Sequence, residues 1–116
     1  MPATRPNPEL LKLVVFVPPG HADAVRNALG EAGAGRIGDY DFCSFSCRGT
    51  GRYRPLPGAE PYSGEVGKLA SVEEERIETL CTRETIRAAL EAVRAVHPYE
   101  EAAIDVYPLC SGSELD

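Results

Sequence analysis

The residues most capable of chemistry lie within the stretch His97–Glu101, which reads His, Pro, Tyr, Glu, Glu. Imidazole and carboxylate groups are common ligands of divalent cations. His97 with Glu100 or Glu101 is the local metal candidate, and His21 or a cysteine could complete the site in space. Copper or zinc is the expected ion, because imidazole and thiol ligands suit softer cations. The alternative is structural: the proline and tyrosine shape a turn, and the carboxylates pair with arginines.

A second candidate is the segment 48–71, which contains five glycines, three prolines, four basic residues and two acidic residues. Long loops in compact domains are uncommon and are often functional. One interpretation is a loop that binds a small anion or a protein partner. The candidate contacts are Arg48, Arg52, Tyr53 and Arg54 from the loop, together with Tyr99. The alternative is a solvated glycine and proline hairpin packed on a neighbouring subunit.

Composition limits the possible functions. The chain has 116 residues, enough for one domain with a hydrophobic core, and its net charge is −6. A general nucleic-acid binder or a binder of anionic membranes is not expected, because both need a basic surface. There is no apolar run of the length that spans a membrane and no signal-peptide pattern, so the expected location is cytoplasmic.

Periodicity and turn signals predict six elements in the order β-α-β-β-α-β. Residues 1–9 are predicted to be a flexible lead-in, residues 10–109 the domain, and residues 110–116 a short tail. The predicted elements are a strand at Leu10–Val17, a helix at His21–Ala32, a strand at Asp39–Cys47, a strand at Val72–Cys81, a helix at Arg83–Val96 and a strand at Ala102–Leu109. Thr82 is the predicted N-cap of the second helix.

The glycines of residues 33–38 spell G-x-G-x-x-G but do not predict a dinucleotide site. That motif must follow a strand and open a helix, whereas these glycines follow the first predicted helix and precede a strand. A glycine-rich turn between the helix and the strand is the better interpretation.

This order of elements predicts an α+β, ferredoxin-like fold: a four-stranded antiparallel sheet with two helices on one face. The first and third strands should be central. Both faces of the first strand are largely apolar, with Leu13 and Val15 on one side and Val14 and Phe16 on the other. One of these faces must lie away from the helices, so we expect a homo-oligomer built by sheet-face contacts.

The chain resembles the PII-like, CutA-like domain inserted in Nif-three-like proteins of the YqfO type, which carry a dinuclear metal centre. It also resembles the stand-alone small proteins related to that insert. The resemblance covers about residues 11–109. The matching residues are Phe16-Val17-Pro18, Gly33-Ala34-Gly35, Ile37-Gly38, Tyr40, Cys43-Ser44-Phe45, Gly49 to Gly51, Pro55, Gly64 to Gly67, Glu75-Arg76-Ile77-Glu78, His97 to Glu101 and Asp105-Val106-Tyr107-Pro108.

The resemblance implies a small regulatory module rather than a hydrolase. The halves that carry the dinuclear metal ligands in full-length Nif-three-like proteins are absent from this sequence. CutA proteins are ferredoxin-like trimers associated with divalent-metal tolerance, so the resemblance implies a homotrimer. In PII proteins the long loop after the second strand contacts effectors and partners.

Two functional hypotheses follow. The first is a non-enzymatic, oligomeric module that binds a small molecule or a partner, since the sequence lacks a convincing nucleophile and base pair. The second is copper or zinc binding, or metal tolerance of the CutA type, at His97.

Overall fold

The structure is a computed structural model that describes residues 7–110. Six residues of the predicted lead-in, 1–6, and six of the predicted tail, 111–116, lie outside the described residues. The elements are β1 (Asn7–Val17), a 3-10 turn (Pro19–His21), α1 (Ala22–Glu31), β2 (Phe45–Tyr53), β3 (Ala70–Thr82), α2 (Ile86–Val96) and β4 (Ala103–Leu109).

The four strands form one antiparallel sheet in the order β2-β3-β1-β4. This order confirms the predicted ferredoxin-like fold and the central position of the first and third strands. β1 begins three residues earlier than predicted, at Asn7.

The core lies between the sheet and the two helices. Alternate residues of β1 point into it, as the two-residue period of a strand requires. Its β1 members are Leu11, Leu13, Val15 and Val17, and they meet Val25 and Leu29 of α1, Ala89 and Val93 of α2 and Ile77 of β3.

The sheet face away from the helices, called the open face below, mixes charged and apolar side chains. Val14 is fully buried there, and Arg76 stacks on Phe16 with its guanidinium carbon 5.4 Å from the ring centroid. Glu78 accepts a hydrogen bond from Arg76 Nε at 2.7 Å and lies 3.7 Å from Lys12 Nζ. The hydrogen bond from Arg76 lowers the pKa of Glu78. The open face is therefore less apolar than the sequence of β1 alone predicts.

The prediction for β2 is wrong by six residues, because the strand is Phe45–Tyr53 rather than Asp39–Cys47. Arg48, Arg52 and Tyr53 therefore lie in the strand, and the remaining loop is 54–69. Two glycines in the strand obscured it. They lie at Gly49 and Gly51, on the open face, and at Gly51 the absence of a side chain leaves room for Glu74 of β3.

Residues 33–44 form a compact connection instead of a strand, and the turn expected at the glycines is present. Gly35 has φ +84°, and a Cβ there would lie 2.6 Å from the carbonyl oxygen of Cys43. The backbone N–H of Cys43 donates to Gly35 at 2.9 Å, and the buried Thr79 hydroxyl donates to the Cys43 carbonyl at 2.7 Å. These bonds use the backbone groups that a strand would have offered to β3.

The second helix begins at Ile86 with Thr85 as N-cap residue, so the predicted start at Arg83 and the predicted N-cap Thr82 are wrong. Thr82 is still paired in β3, opposite Leu10. The chain must turn before it can enter the helix, and the N–H of Thr85 closes that turn on the Thr82 carbonyl at 3.2 Å.

A partly buried ion pair fixes α1 on the sheet. Arg26 of α1 donates to Glu75 of β3 at 2.5 Å, to Asp23 at 2.6 Å and to Ser46 of β2 at 3.0 Å. The hydrogen bonds to Asp23 and to Glu75 raise the pKa of Arg26. Arg48 of β2 approaches the other oxygen of Glu75 at 3.7 Å. Glu75 thus joins three elements.

We expect Glu75→Gln to lower the free energy of unfolding by about 1–2 kcal/mol, because it removes the charged partner of Arg26 from a desolvated position. Glu73→Gln is the matched control. Its side chain is 64% exposed against 10% for Glu75, and both approach Arg48. The control should change stability by less than about 0.5 kcal/mol. Urea unfolding followed by circular dichroism measures both, and equal effects would contradict the assignment.

Candidate functional site

The site lies where β2 and β3 extend past the end of β1. β1 ends at Val17, which pairs with Glu75, whereas β3 begins five residues earlier, at Ala70. Residues 70–74 and their β2 partners 49–53 therefore form a two-stranded ribbon beyond the four-stranded part of the sheet. Loop 54–69 and the stretch His97–Glu101 pack beside it.

A cleft of about 390 Å³ lies between this ribbon, the loop and the His97–Glu101 stretch. Its lining brings together most of the residues predicted as ligand contacts, although they are far apart in the sequence. The predicted residues that line it are Arg52, Tyr53, Arg54, Tyr99, Glu100 and Glu101. Arg48 lies outside the cleft, in the ion pairs with Glu73 and Glu75.

Aromatic rings form a continuous wall along the cleft. The Tyr62 ring of the loop lies 6.0 Å from the Tyr99 ring and 5.9 Å from the His21 ring, edge to face in the latter case. The His97 ring lies 5.0 Å behind Tyr99. These separations are in the range of favourable aromatic pairs. The wall provides an apolar surface on which a planar group could stack.

The cleft also holds a tyrosine and carboxylate pair. The Tyr99 hydroxyl donates to Glu74 Oε2 at 3.0 Å. Burial of the phenol and this hydrogen bond raise the pKa of Tyr99 well above its ordinary value. Gly51 makes room for the pair, because a Cβ there would lie 2.6 Å from the Glu74 carboxyl carbon.

Several contacts hold the loop against the cleft. The Tyr53 hydroxyl donates to the Ser63 carbonyl at 2.6 Å, and the Glu60 N–H donates to Glu100 Oε1 at 3.1 Å. The N–H of Gly67 donates to the Pro55 carbonyl at 2.8 Å and closes the base of the loop. The loop therefore packs on its own protomer.

The two arginines of the cleft differ from Arg48 in their contacts. Within residues 7–110, no salt bridge includes Arg52 or Arg54, and both side chains are exposed. Their guanidinium groups are available to a ligand, and a guanidinium can bind a carboxylate or a phosphate through two parallel hydrogen bonds.

His97 is held by two backbone groups. Its Nε2 lies 2.7 Å from the Phe16 carbonyl oxygen, and its Nδ1 lies 3.2 Å from the Tyr99 N–H. A carbonyl can only accept and an N–H can only donate, so in these contacts Nε2 is the donor and Nδ1 is the acceptor. The His97 N–H also caps α2 through the Val93 carbonyl at 2.9 Å.

The predicted metal ligands do not converge within one protomer. Among the described residues, no group of three or more His, Cys, Asp or Glu side chains is placed to hold a metal ion. His97 uses both ring nitrogens on the backbone, Glu100 accepts from Glu60, and the ring of His21 contacts Tyr62. The four cysteines are free thiols.

Three important residues of the cleft were not predicted from the sequence. Glu74 lies in the predicted strand Val72–Cys81 without a predicted role, and Gly51 lies in the segment 48–71, which was predicted to be a loop. Tyr62 lies in a segment without periodicity. The contact of Glu74 with Gly51 depends on the register of β2 against β3, in which Gly51 pairs with Val72 and Gly49 with Glu74.

This fold and cleft define a PII-like, CutA-like ferredoxin domain. CutA from Synechococcus elongatus has a similar structure, with a TM-score of 0.66, 21% identity, and coverage of 97% of this chain and 95% of that chain. The Bacillus subtilis GlnK–ATP complex has a TM-score of 0.61 at 14% identity and covers 90% of this chain and 84% of that chain. At these identities the similarity concerns the fold alone.

The chain is homologous to one segment of the proteins called GTP cyclohydrolase 1 type 2 homolog, which confirms the resemblance made from its residues. The relative in Halalkalibacterium halodurans is 50% identical over 105 residues, which are 90% of this chain but 28% of the relative. A Bacillus cereus protein related to NIF3 has a TM-score of 0.79 and 48% identity, with coverage of 92% of this chain and 28% of that chain.

The chain thus spans little more than a quarter of the length of the curated relatives that it matches. No protein-family model matches it. No helix within residues 7–110 is long and apolar enough to cross a membrane.

We expect Tyr99 to ionise at a higher pH than the other tyrosines when tyrosinate absorbance is followed in an alkaline titration. The neutral phenol is favoured in the folded state, so its contribution to stability is complete below about pH 10 and is lost as the pH rises towards the folded pKa. Tyr99→Phe should remove the part of the absorbance change that occurs at the highest pH, and Tyr40→Phe, at an exposed ring, should retain it. Persistence of this high-pH change in Tyr99→Phe would contradict the assignment.

Proposed function

We propose that this chain is a non-enzymatic, self-associating regulatory module that binds a small molecule in the cleft between loop 54–69 and the His97–Glu101 stretch. The observation that carries the proposal is the cleft itself, which is lined by tyrosines and by Arg52 and Arg54, neither of which forms a salt bridge within residues 7–110. Binding is favoured over catalysis because the ring nitrogens of His97 are committed to backbone groups.

Ligand binding in the cleft can change the surface that the loop offers to a protein partner. Tyr62 and Glu60 make two of the loop's contacts with the cleft. A ligand that stacks on Tyr99 also contacts Tyr62, so its binding can reorient the loop. Leu56, Val66 and Leu69 are exposed on the same loop, Leu69 at 82%, so a change in the loop alters an apolar surface that a partner could contact.

Self-association is supported by the two edges of the sheet. β2 and β4 are edge strands, and unpaired strand edges are sites of intermolecular pairing. Phe45 of β2 is 66% exposed and Tyr107 of β4 is 44% exposed, both on the open face. The resemblance to CutA proteins favours a homotrimer.

Copper or zinc binding remains a prediction as the alternative function. The fold favours it, since several solved structures of this fold are named for divalent ion tolerance. The contacts of His97 and Glu100 within one protomer do not favour it, and a metal site would need side chains from a second protomer.

We expect sedimentation velocity at micromolar concentration to show an oligomer. Phe45→Ser should shift the distribution towards the monomer, because it removes an exposed apolar ring from an edge strand. Tyr40→Ser, which changes a more exposed ring outside the strands, is the control and should not shift it. A stable monomer of the unmodified protein would contradict self-association.

We expect at least one member of a small-molecule panel to bind in the cleft. The panel is inorganic phosphate, GTP, ATP, 4-methylbenzoate, 4-methylbenzylamine and phenylalanine, and the readout is the amide chemical shifts of Gly51, Ser63 and Tyr99. Ala103→Trp fills the cleft and should abolish the shifts. Ala88→Trp, on the exposed side of α2, should preserve them.

Two outcomes would contradict the proposed binding site. One is a panel in which no compound shifts the amides of the cleft in the unmodified protein. The other is a set of shifts that survives Ala103→Trp unchanged.

A further inference from the structure

The cleft carries charges of both signs. Arg52 and Arg54 line it from β2 and the start of the loop, and Glu74, Glu100 and Glu101 line it from β3 and the His97–Glu101 stretch. The carboxylates outnumber the guanidinium groups by three to two. A purely anionic ligand would therefore meet repulsion as well as attraction, because Coulomb interactions act over several ångströms in a partly desolvated space.

These opposite charges do not neutralise each other. In the part of the chain that the structure describes, no salt bridge joins either arginine to any of the three glutamates. Other charges of the sheet are paired, as Arg26 with Glu75 and Arg76 with Glu78 show. Within residues 7–110, the lining of the cleft thus includes cationic and anionic groups that form no salt bridge with one another.

Glu74 is held in place as an acceptor. Its Oε2 receives the Tyr99 hydroxyl, and its carboxylate lies over Gly51, where there is no side chain to separate it from β2. A carboxylate accepts more than one hydrogen bond, so capacity remains for a donor on a ligand. An ammonium group would supply that donor together with a positive charge.

We infer that the ligand of the cleft is a small amphoteric molecule that has an acidic group, a protonated amine and a planar apolar part. The acidic group binds Arg54, the amine binds Glu74 and the neighbouring glutamates, and the planar part stacks on Tyr62 and Tyr99. This inference rests on the proposed function and narrows the expected small anion to a molecule that also carries a positive charge.

The test compares two sets of probes that differ only in charge. The first is 4-(aminomethyl)benzoate with 4-methylbenzoate and 4-methylbenzylamine. The second is phenylalanine with 3-phenylpropanoate and phenethylamine. Titrations are followed by the amide shifts of Gly51 and Tyr99. In at least one set, the amphoteric probe should bind about tenfold more tightly than either singly charged analogue, as one added charge-assisted hydrogen bond predicts.

Variants that remove a single charge test the group that binds the acid and the group that binds the amine one at a time. Arg54→Gln should weaken the amphoteric probe and the anion about equally and leave the amine unaffected. Glu101→Gln should weaken the amphoteric probe and the amine but not the anion. The matched controls are Arg87→Gln and Glu91→Gln, at exposed positions of α2, and they should change none of the affinities.

The outcomes distinguish this inference from the proposed function. If both anionic probes bind as tightly as their amphoteric counterparts, or if both amines do, the amphoteric ligand is excluded while the binding site stands. If no probe or panel compound shifts the amides of the cleft, both are overturned.

Discussion

The difference in length between β1 and β3 is the constraint on which the site depends. β3 has thirteen residues, but β1 ends opposite Glu75, so the start of β3 has only β2 as a neighbour. A two-stranded ribbon is marginally stable in water without further packing. The loop and the His97–Glu101 stretch supply that packing, and the cleft is the space that they leave against the ribbon.

Glu75 marks the boundary between the two parts of the molecule. On one side of it, apolar residues of β1 pack under the helices and set the fold. On the other side, the contacts are tyrosines, carboxylates and backbone hydrogen bonds, which stabilise less and move more easily. A rigid scaffold that carries a more adaptable binding segment is a common arrangement in ligand-binding domains.

Much of the fold was predictable because it depends on local periodicity. The four-residue spacing of Val25 and Leu29 in α1 and of Ala89 and Val93 in α2 is visible in the sequence, as is the alternation of β1, and these residues form the core. The end of β2 was not predictable, because Gly49 and Gly51 weaken a strand signal and the space over Gly51 is taken by Glu74 of the adjacent strand. Thr82 failed as a helix N-cap for a similar reason, since its pairing with Leu10 is long-range.

The site was predictable in part. Arg52, Arg54 and Tyr99 were identified by type, and the structure places all three in the lining of one cleft. The separation of Arg48 from Arg52 and Arg54 was not predictable. It follows from the pairing of Arg48 with the acidic residues Glu73 and Glu75 of the adjacent strand.

The backbone contacts of His97 affect how such motifs are interpreted in general. The imidazole joins the end of β1 to the turn before β4 through two hydrogen bonds, a task that needs a donor and an acceptor on one rigid ring. A histidine in this position has a structural reason to be there whether or not it does any chemistry. A short sequence rich in ligand-type residues can therefore be maintained by chain geometry alone, and its presence by itself carries little information about metal binding.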